Sequence, residues 1–277
     1  MTGRISIKKV EKGTKLKSLI QTLFGSGPST WHRYPANALR AKLFQVKSRL
    51  GLTSAVERRQ GMVGPSHLWK MKRDFQIRFL ESIGMAPEHY VLDLGCGVLR
   101  GGLPIIDYLD KGHYCGIEAR QTALDEGVRA LHEAGLQSKV PTLLVIDDLS
   151  RATLDQKFEL IWAFSVLIHM EDRMLDACLD FVSRHLECNG RMYANVKIGN
   201  EKEGRWQEFP LVSRSREFYT TAAERHGLKV ADVGTLQSLG HVSGSPGQDL
   251  QLMLEFVRKC ETPAWPNQST RRAESSA

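Results

Sequence analysis

No Cys-x-x-Cys pair occurs among the five cysteines (Cys96, Cys115, Cys178, Cys188 and Cys260), and their number is odd, so neither a disulfide framework nor a zinc site is expected. Reduced thiols and no bound metal follow. The chain also lacks any run of about 18 uninterrupted apolar residues, and no apolar core follows the N-terminal charges, so neither a transmembrane helix nor a signal peptide is expected. With 42% hydrophobic and 25% charged residues, this is the composition of a soluble globular protein, and a cytoplasmic location is the expectation.

Acidic residues are scarce at one end. Residues 1–60 carry 13 Lys and Arg against two acids, a net of +11, whereas the remainder carries 25 against 29, a net of −4. The overall +7 therefore belongs to an arm, and its asymmetry points to an anionic partner such as a membrane surface, a phosphorylated carrier or RNA. A purely solubilising tail is the alternative. Peripheral membrane association is the location that the first of these partners would add.

Residues 1–37 are rich in Lys, Gly, Ser, Thr and Pro and predict a flexible segment. Leu39, Leu43, Val46 and Leu50 then fall at helical spacing with Arg40, Lys42, Lys47 and Arg49 between them, predicting a short basic amphipathic helix. It serves either to dock a membrane or substrate, or to pack on the core domain. The arm is assigned to 1–65, a core domain to 66–258, and a polar disordered tail to 259–277. Within the core domain, Leu68, Met71, Phe75, Phe79 and Ile83 recur every three or four residues, predicting a helix over Ser66–Ile83 with Gly84 as its stop. Apolar strands then alternate with helices: strands at Tyr90–Leu94, Tyr114–Glu118, Leu143–Ile146, Leu160–Phe164 and Gly190–Val196, and helices from Arg100, from Gln121, over Glu171–Leu186 and around Arg216–His226. Two late strands near Val230 and Leu250 lack a good helix between them. The pattern predicts an α/β fold: a doubly wound, mostly parallel seven-stranded sheet with an antiparallel edge hairpin.

The chemistry begins where the first strand, Val91-Leu92-Asp93-Leu94, opens into Gly95-Cys96-Gly97 before a helix. Glycines at a strand-to-helix crossing on the carboxyl edge of a sheet let a ligand approach the main chain. An acid precedes the glycines, and a second, Glu118, ends the next strand. Carboxylates at strand ends accept hydrogen bonds from ribose hydroxyls or attract an ammonium group. A pyrophosphate would sit badly beside Asp93, and the third glycine of the dinucleotide fingerprint is out of place, so hydride transfer is the weaker reading.

Through VLDLGCG, GIEA and VIDD, in that order, residues 66–258 resemble the class I S-adenosylmethionine-dependent methyltransferases. The resemblance implies a Rossmann-like fold and S-adenosyl-L-methionine as cofactor. It implies Asp93 near the methionine part, the loop Gly95, Cys96 and Gly97 against the ligand, Glu118 on the ribose, and either Asp147 or Asp148 on the adenine amino group. Gln76, on the leading helix, would cover the cofactor from above, unless it faces solvent. One departure stands out: the family's usual third glycine is replaced by Leu99, with Gly101 and Gly102 following.

The segment after the fourth strand, Ser165 to Met170, is where this family places its acceptor. It lacks the Asn/Asp-Pro-Pro-aromatic signature of adenine amino methylation, which makes nucleic acid the less favoured partner. Methyl transfer to a hydroxyl or other heteroatom of a small molecule or glycan is the leading expectation. Two histidines are candidate general bases, His169 by its position and His241 from a glycine-rich connection. The alternatives are an RNA or protein methyltransferase that grips its polymer with the arm, and a non-catalytic regulator that binds the cofactor.

Overall fold

The computed structural model describes residues 53–199 and 204–258. The expected amphipathic helix over 38–50, the flexible N-terminal segment and the C-terminal tail lie outside these residues.

Helix α1 (Ala55–Gly61) starts at a capping box, with Ser54 Oγ accepting from the Glu57 amide and Glu57 accepting from the Ser54 amide. It is pinned by Arg59, whose guanidinium donates to both Glu133 carboxylate oxygens at 2.7 Å and to Glu126 at 3.1 Å. A 3₁₀ turn (Ser66–Leu68) leads into α2 (Trp69–Ser82). The buried face of α2 is Lys72, Phe75, Gln76, Phe79 and Leu80, so the inward stripe begins at Lys72 rather than at Met71. Gly84 follows in the left-handed conformation expected of a helix stop (φ 88°).

The core alternates as the sequence predicts: β1 (Val91–Leu94), α3 (Gly102–Tyr108), β2 (Tyr114–Glu118), α4 (Gln121–Glu133), β3 (Thr142–Val145), β4 (Phe158–Ala163), α5 (Asp172–His185) and β5 (Leu186–Val196). The strand expected at Gly190 begins four residues earlier, because Leu186 already pairs with Phe158 and the register shifts before Leu160 meets Arg191. A small two-stranded hairpin, β6 (Gly204–Trp206) and β7 (Phe209–Leu211), interrupts the connection to α6 (Arg216–Arg225). The chain ends its fold with β8 (Leu228–Thr235), a single turn α7 (Pro246–Asp249) and β9 (Leu252–Arg258).

The large sheet has the order β3-β2-β1-β4-β5-β9-β8. Its first five strands are parallel, and β9 runs antiparallel between β5 and β8. Apolar layers cover both faces. Leu92, Ile161 and Met192 pack with α5 and α6 through Leu175, Leu179, Val182 and Tyr219. Val91, Trp162 and Tyr193 pack on the other face with Phe75, Phe79, Leu99 and Ile105. The strand order reverses at β1, with β2 on one side and β4 on the other, and a crevice at the carboxyl ends follows from that reversal.

Candidate active site at the carboxyl edge of the sheet

Each of the sequence candidates, from Gln76 and the Asp93–Gly97 loop to Glu118, Asp147, Asp148, His169 and His241, lines a single cavity of about 1070 Å³. Asp93 is buried at the end of β1 and accepts one hydrogen bond, from Tyr114 Oη at 2.6 Å. Burial pushes its carboxyl up to about 7, against the pull of the Tyr114 hydroxyl, and the nearby Glu118 charge adds to the rise. Such a carboxylate has a standing reason to welcome a cationic ligand.

The loop after Asp93 is built for close approach. Gly95 and Gly97 have φ 69° and 58°, and a Cβ at either would lie 2.6 Å from Val166 Cγ2 or 2.8 Å from Val63 Cγ1. Two residues on, Leu99 holds φ 60°, the conformation that a glycine there would adopt without strain. Its side chain is fully buried, and room for it comes from other glycines. A Cβ at Gly102 would lie 2.8 Å from Leu99 Cδ2, and one at Gly127 would lie 3.0 Å from its Cγ. The displaced glycines of the motif therefore serve packing. Gly101 does the same for Gln76, whose amide oxygen would be 2.3 Å from a Cβ there.

Gln76 does not face solvent. Its amide oxygen accepts from Trp162 Nε1 at 2.9 Å, and its amide nitrogen donates to the Lys72 carbonyl, so it ties α2 to β4 at the wall of the cavity. Glu118 also has partners within the protein: Oε2 accepts from the Gly97 amide at 3.0 Å, and Oε1 from the Arg120 amide and Nε. Of the two acids after β3, Asp148 accepts from Ser150 through both its amide and hydroxyl, closing its own turn. The Asp147 carboxylate has no hydrogen-bond partner among the described residues. Cys96 contributes a thiol that burial holds well above its usual range, an inert wall rather than a nucleophile.

The acceptor half contains what the sequence did not reveal. The β6–β7 hairpin stacks Trp206 on Phe209, His169 sits against both rings, and Arg120 lies over Phe209 at 5.0 Å. His169 Nδ1 lies 2.7 Å from the Pro210 carbonyl of the hairpin, and burial lowers its pKa. His241 is 1% exposed. Its Nδ1 lies 2.9 Å from Asp249 Oδ1, its ring meets Phe75 edge-on, and its Nε2 is buried without a partner. Burial lowers its pKa, opposed by the Asp249 charge. Burial works against ionisation of Asp249, yet the Ser243 amide and hydroxyl and His241 hold its carboxyl below the usual range, and the Gly244 amide donates to its other oxygen. Ser165 opens the acceptor segment in a left-handed conformation (φ 61°), its amide held 2.6 Å from Asn195 Oδ1.

Residues 92–192, which span these cofactor-half elements, match the family model described as a methyltransferase domain. That stretch, β1 to β5 of the large sheet, is therefore matched to a methyltransferase domain. A methyltransferase domain is that of an enzyme. Solved methyltransferases share the architecture at low identity. One is an S-adenosylmethionine-dependent methyltransferase from Clostridium acetobutylicum (15% identity, 69% of this chain and 92% of that one, TM-score 0.53). Another is magnesium protoporphyrin IX methyltransferase from Synechocystis PCC 6803 with the cofactor bound (17%, 78% and 97%, TM-score 0.54). A third is a glycopeptide N-methyltransferase in complex with the cofactor (16%, 67% and 93%, TM-score 0.51). At these identities the likeness is one of fold.

The methyltransferase cavity suits its cofactor on the chain's own chemistry. Among the described residues a buried acid, Asp93, has a single hydrogen-bond partner and Asp147, two residues beyond β3, has none, while two glycines leave a cradle that side chains would fill. No described helix is long and apolar enough to cross a membrane.

Proposed function

We propose that the enzyme methylates a hydroxyl of a small-molecule or glycan acceptor, with His241 as general base. The observation that carries this reading is that His241, which lines the cavity, keeps a buried Nε2 with no hydrogen-bond partner among the described residues while its Nδ1 is held by Asp249. An ionised carboxylate only accepts, so Asp249 fixes the proton on Nδ1 and leaves Nε2 as a lone pair. A lone pair on a neutral imidazole is what a hydroxyl needs to lose its proton as its oxygen attacks.

In the cofactor half, Asp93 would attract the ammonium group, the Gly95–Gly97 main chain would hold the methionine portion, Glu118 the ribose hydroxyls and Asp147 the adenine amino group. Between the two candidates after β3, Asp147 is preferred because its carboxylate has no hydrogen-bond partner among the described residues, whereas Asp148 Oδ1 accepts twice from Ser150. Bound S-adenosylmethionine supplies a methyl group on a sulfonium that leaves readily, so the protein's task is mainly alignment. His241 removes the proton, Phe164 and the hairpin aromatics Trp206 and Phe209 exclude water, and His169 orients the hairpin through Pro210 rather than acting as the base. Residues 1–65 are proposed as an arm and 66–258 as the catalytic domain, with the charge of the arm directed at an anionic membrane or phosphorylated carrier.

Incubation of the protein with methyl-labelled S-adenosylmethionine and a panel of hydroxylated compounds beside their amino analogues tests the reading. Label in the hydroxyl series, lost in His241→Ala while S-adenosylhomocysteine still binds, is the expected result. Label only in the amino series, or full activity in the variant, overturns it.

A further inference from the structure

Lys72 is a second unspent group in the same cavity. It lies on the inward face of α2, one turn before Gln76, and is only 8% exposed. It lines the cavity, and among the described residues no acceptor lies within hydrogen-bond distance of its Nζ. Asp249 is the acid whose charge reaches it, but the Asp249 oxygens already accept from His241, Ser243 and Gly244. A second cation, Arg100, stands close enough to repel it. Burial and Arg100 together bring the Lys72 amine down to about 7. A protein does not gain from an unpaired buried ammonium in its own fold, since the charge has lost its water and gained no partner.

Two anions are candidates to complete it: the carboxylate of the cofactor and a group on the acceptor. The surroundings favour the acceptor. The charge of Lys72 is felt by both His169 and His241, the histidines of the acceptor half. Arg100 also reaches His241, but its other ties run to the cofactor half: it feels Asp93, donates to the Val63 carbonyl and keeps a buried Nε without a partner among the described residues. A Gln248 amide oxygen, also buried, unpartnered and lining the cavity, stands beside Asp249 in sequence and offers an acceptor to a hydroxyl.

We propose that Lys72 pairs with an anionic group of the methyl acceptor, a carboxylate or phosphate, and so selects acidic or phosphorylated acceptors over neutral ones. This inference rests on the methyltransferase reading but not on which atom is methylated.

The test uses the wild-type protein, so no variant has to fold. Trace acylation at pH 8 with acetic anhydride is read at Lys72 by peptide mass spectrometry, with exposed Lys70 as the internal reference. S-adenosylhomocysteine alone is expected to leave Lys72 reactive. Adding benzoate, 4-hydroxybenzoate or inorganic phosphate is expected to slow its acylation about tenfold once the anion exceeds its dissociation constant by about tenfold. Benzamide and 4-hydroxybenzamide are expected to have no effect. Equal protection by acids and amides, or protection by none of the anions, overturns the proposal. So does full protection by S-adenosylhomocysteine that 5′-methylthioadenosine, which lacks the carboxylate, does not reproduce, because Lys72 then serves the cofactor. Calorimetry of S-adenosylhomocysteine on the same sample separates the two claims: no binding there counts against the methyltransferase reading, while anion protection of Lys72 is scored with and without that ligand.

Discussion

His241 Nδ1 lies 2.9 Å from Asp249 Oδ1, and both residues come from the connection that follows β8 rather than from the motif-bearing strands. The pair makes one side of the imidazole a fixed donor and the other an acceptor. Asp249→Asn offers an amide in place of the acceptor-only carboxylate and lets the ring adopt the other tautomer. Turnover is expected to fall about 10²–10⁴-fold, the range for loss of a positioned base, with S-adenosylhomocysteine affinity unchanged by calorimetry. Because burial lowers the His241 pKa, wild-type turnover at saturating cofactor and acceptor, where the titrations of Asp93 and Lys72 no longer limit binding, should stay level through neutral pH and fall only below the ordinary imidazole range. A profile that falls from higher pH would remove His241 from the role.

Asp93 gives the cofactor half a different signature. Its folded pKa of about 7 lies above the unfolded 3.8, so the protonated form is the one the apo fold prefers. The cost of its charge is absent below about pH 4, grows between 4 and 7 and is complete above 7. Asp93→Asn keeps an acceptor for the Tyr114 hydroxyl and removes the charge. The apo variant is expected to melt higher than wild type at pH 8, with the difference vanishing near pH 4, while losing cofactor binding. A variant that melts lower at pH 8, or binds normally, contradicts this account.

Leu99→Gly sets two local effects against each other. Relief of a left-handed leucine returns about 1–2 kcal/mol. Emptying a fully buried leucine site costs about 2–5 kcal/mol, and a new glycine adds about 1 kcal/mol of unfolded-state entropy. Restoring the family's glycine should therefore destabilise this protein, read as a lower urea midpoint, because Gly102 and Gly127 are cut to fit the leucine.

Gln76→Ala leaves the buried Trp162 indole without its acceptor. The expected loss is about 1–3 kcal/mol in urea unfolding. Cofactor affinity should change little, since the amide is engaged by Trp162 and by the Lys72 carbonyl. A large loss of affinity at unchanged stability would instead make Gln76 a ligand contact.

The alternation of strands and helices was legible because each element carries its own period: Tyr114–Glu118 was bounded to the residue by five apolar or strand-ending positions between turns. The cofactor acids were legible because they sit at strand ends, where a local pattern marks them. Asp249 was not, because its role depends on a contact with His241 through a turn of irregular backbone. Lys72 left a faint mark: with Gln76 it puts two polar residues four apart on the same helix face as Phe75 and Phe79. The β6–β7 hairpin left none. Its strands are three residues each, Pro210 breaks any strand pattern, and the stack of Trp206 on Phe209 exists only once Gln207, at φ 53°, turns the chain.

That hairpin adds no strand to the large sheet and packs between β5 and α6 in the chain. Its excision would leave every ladder of the seven-stranded sheet intact. The sheet and one wall of the cavity thus lie on separate stretches of sequence: replacing residues 204–211 with another short aromatic hairpin should reshape that wall while the sheet, Lys72 and His241 stay in place.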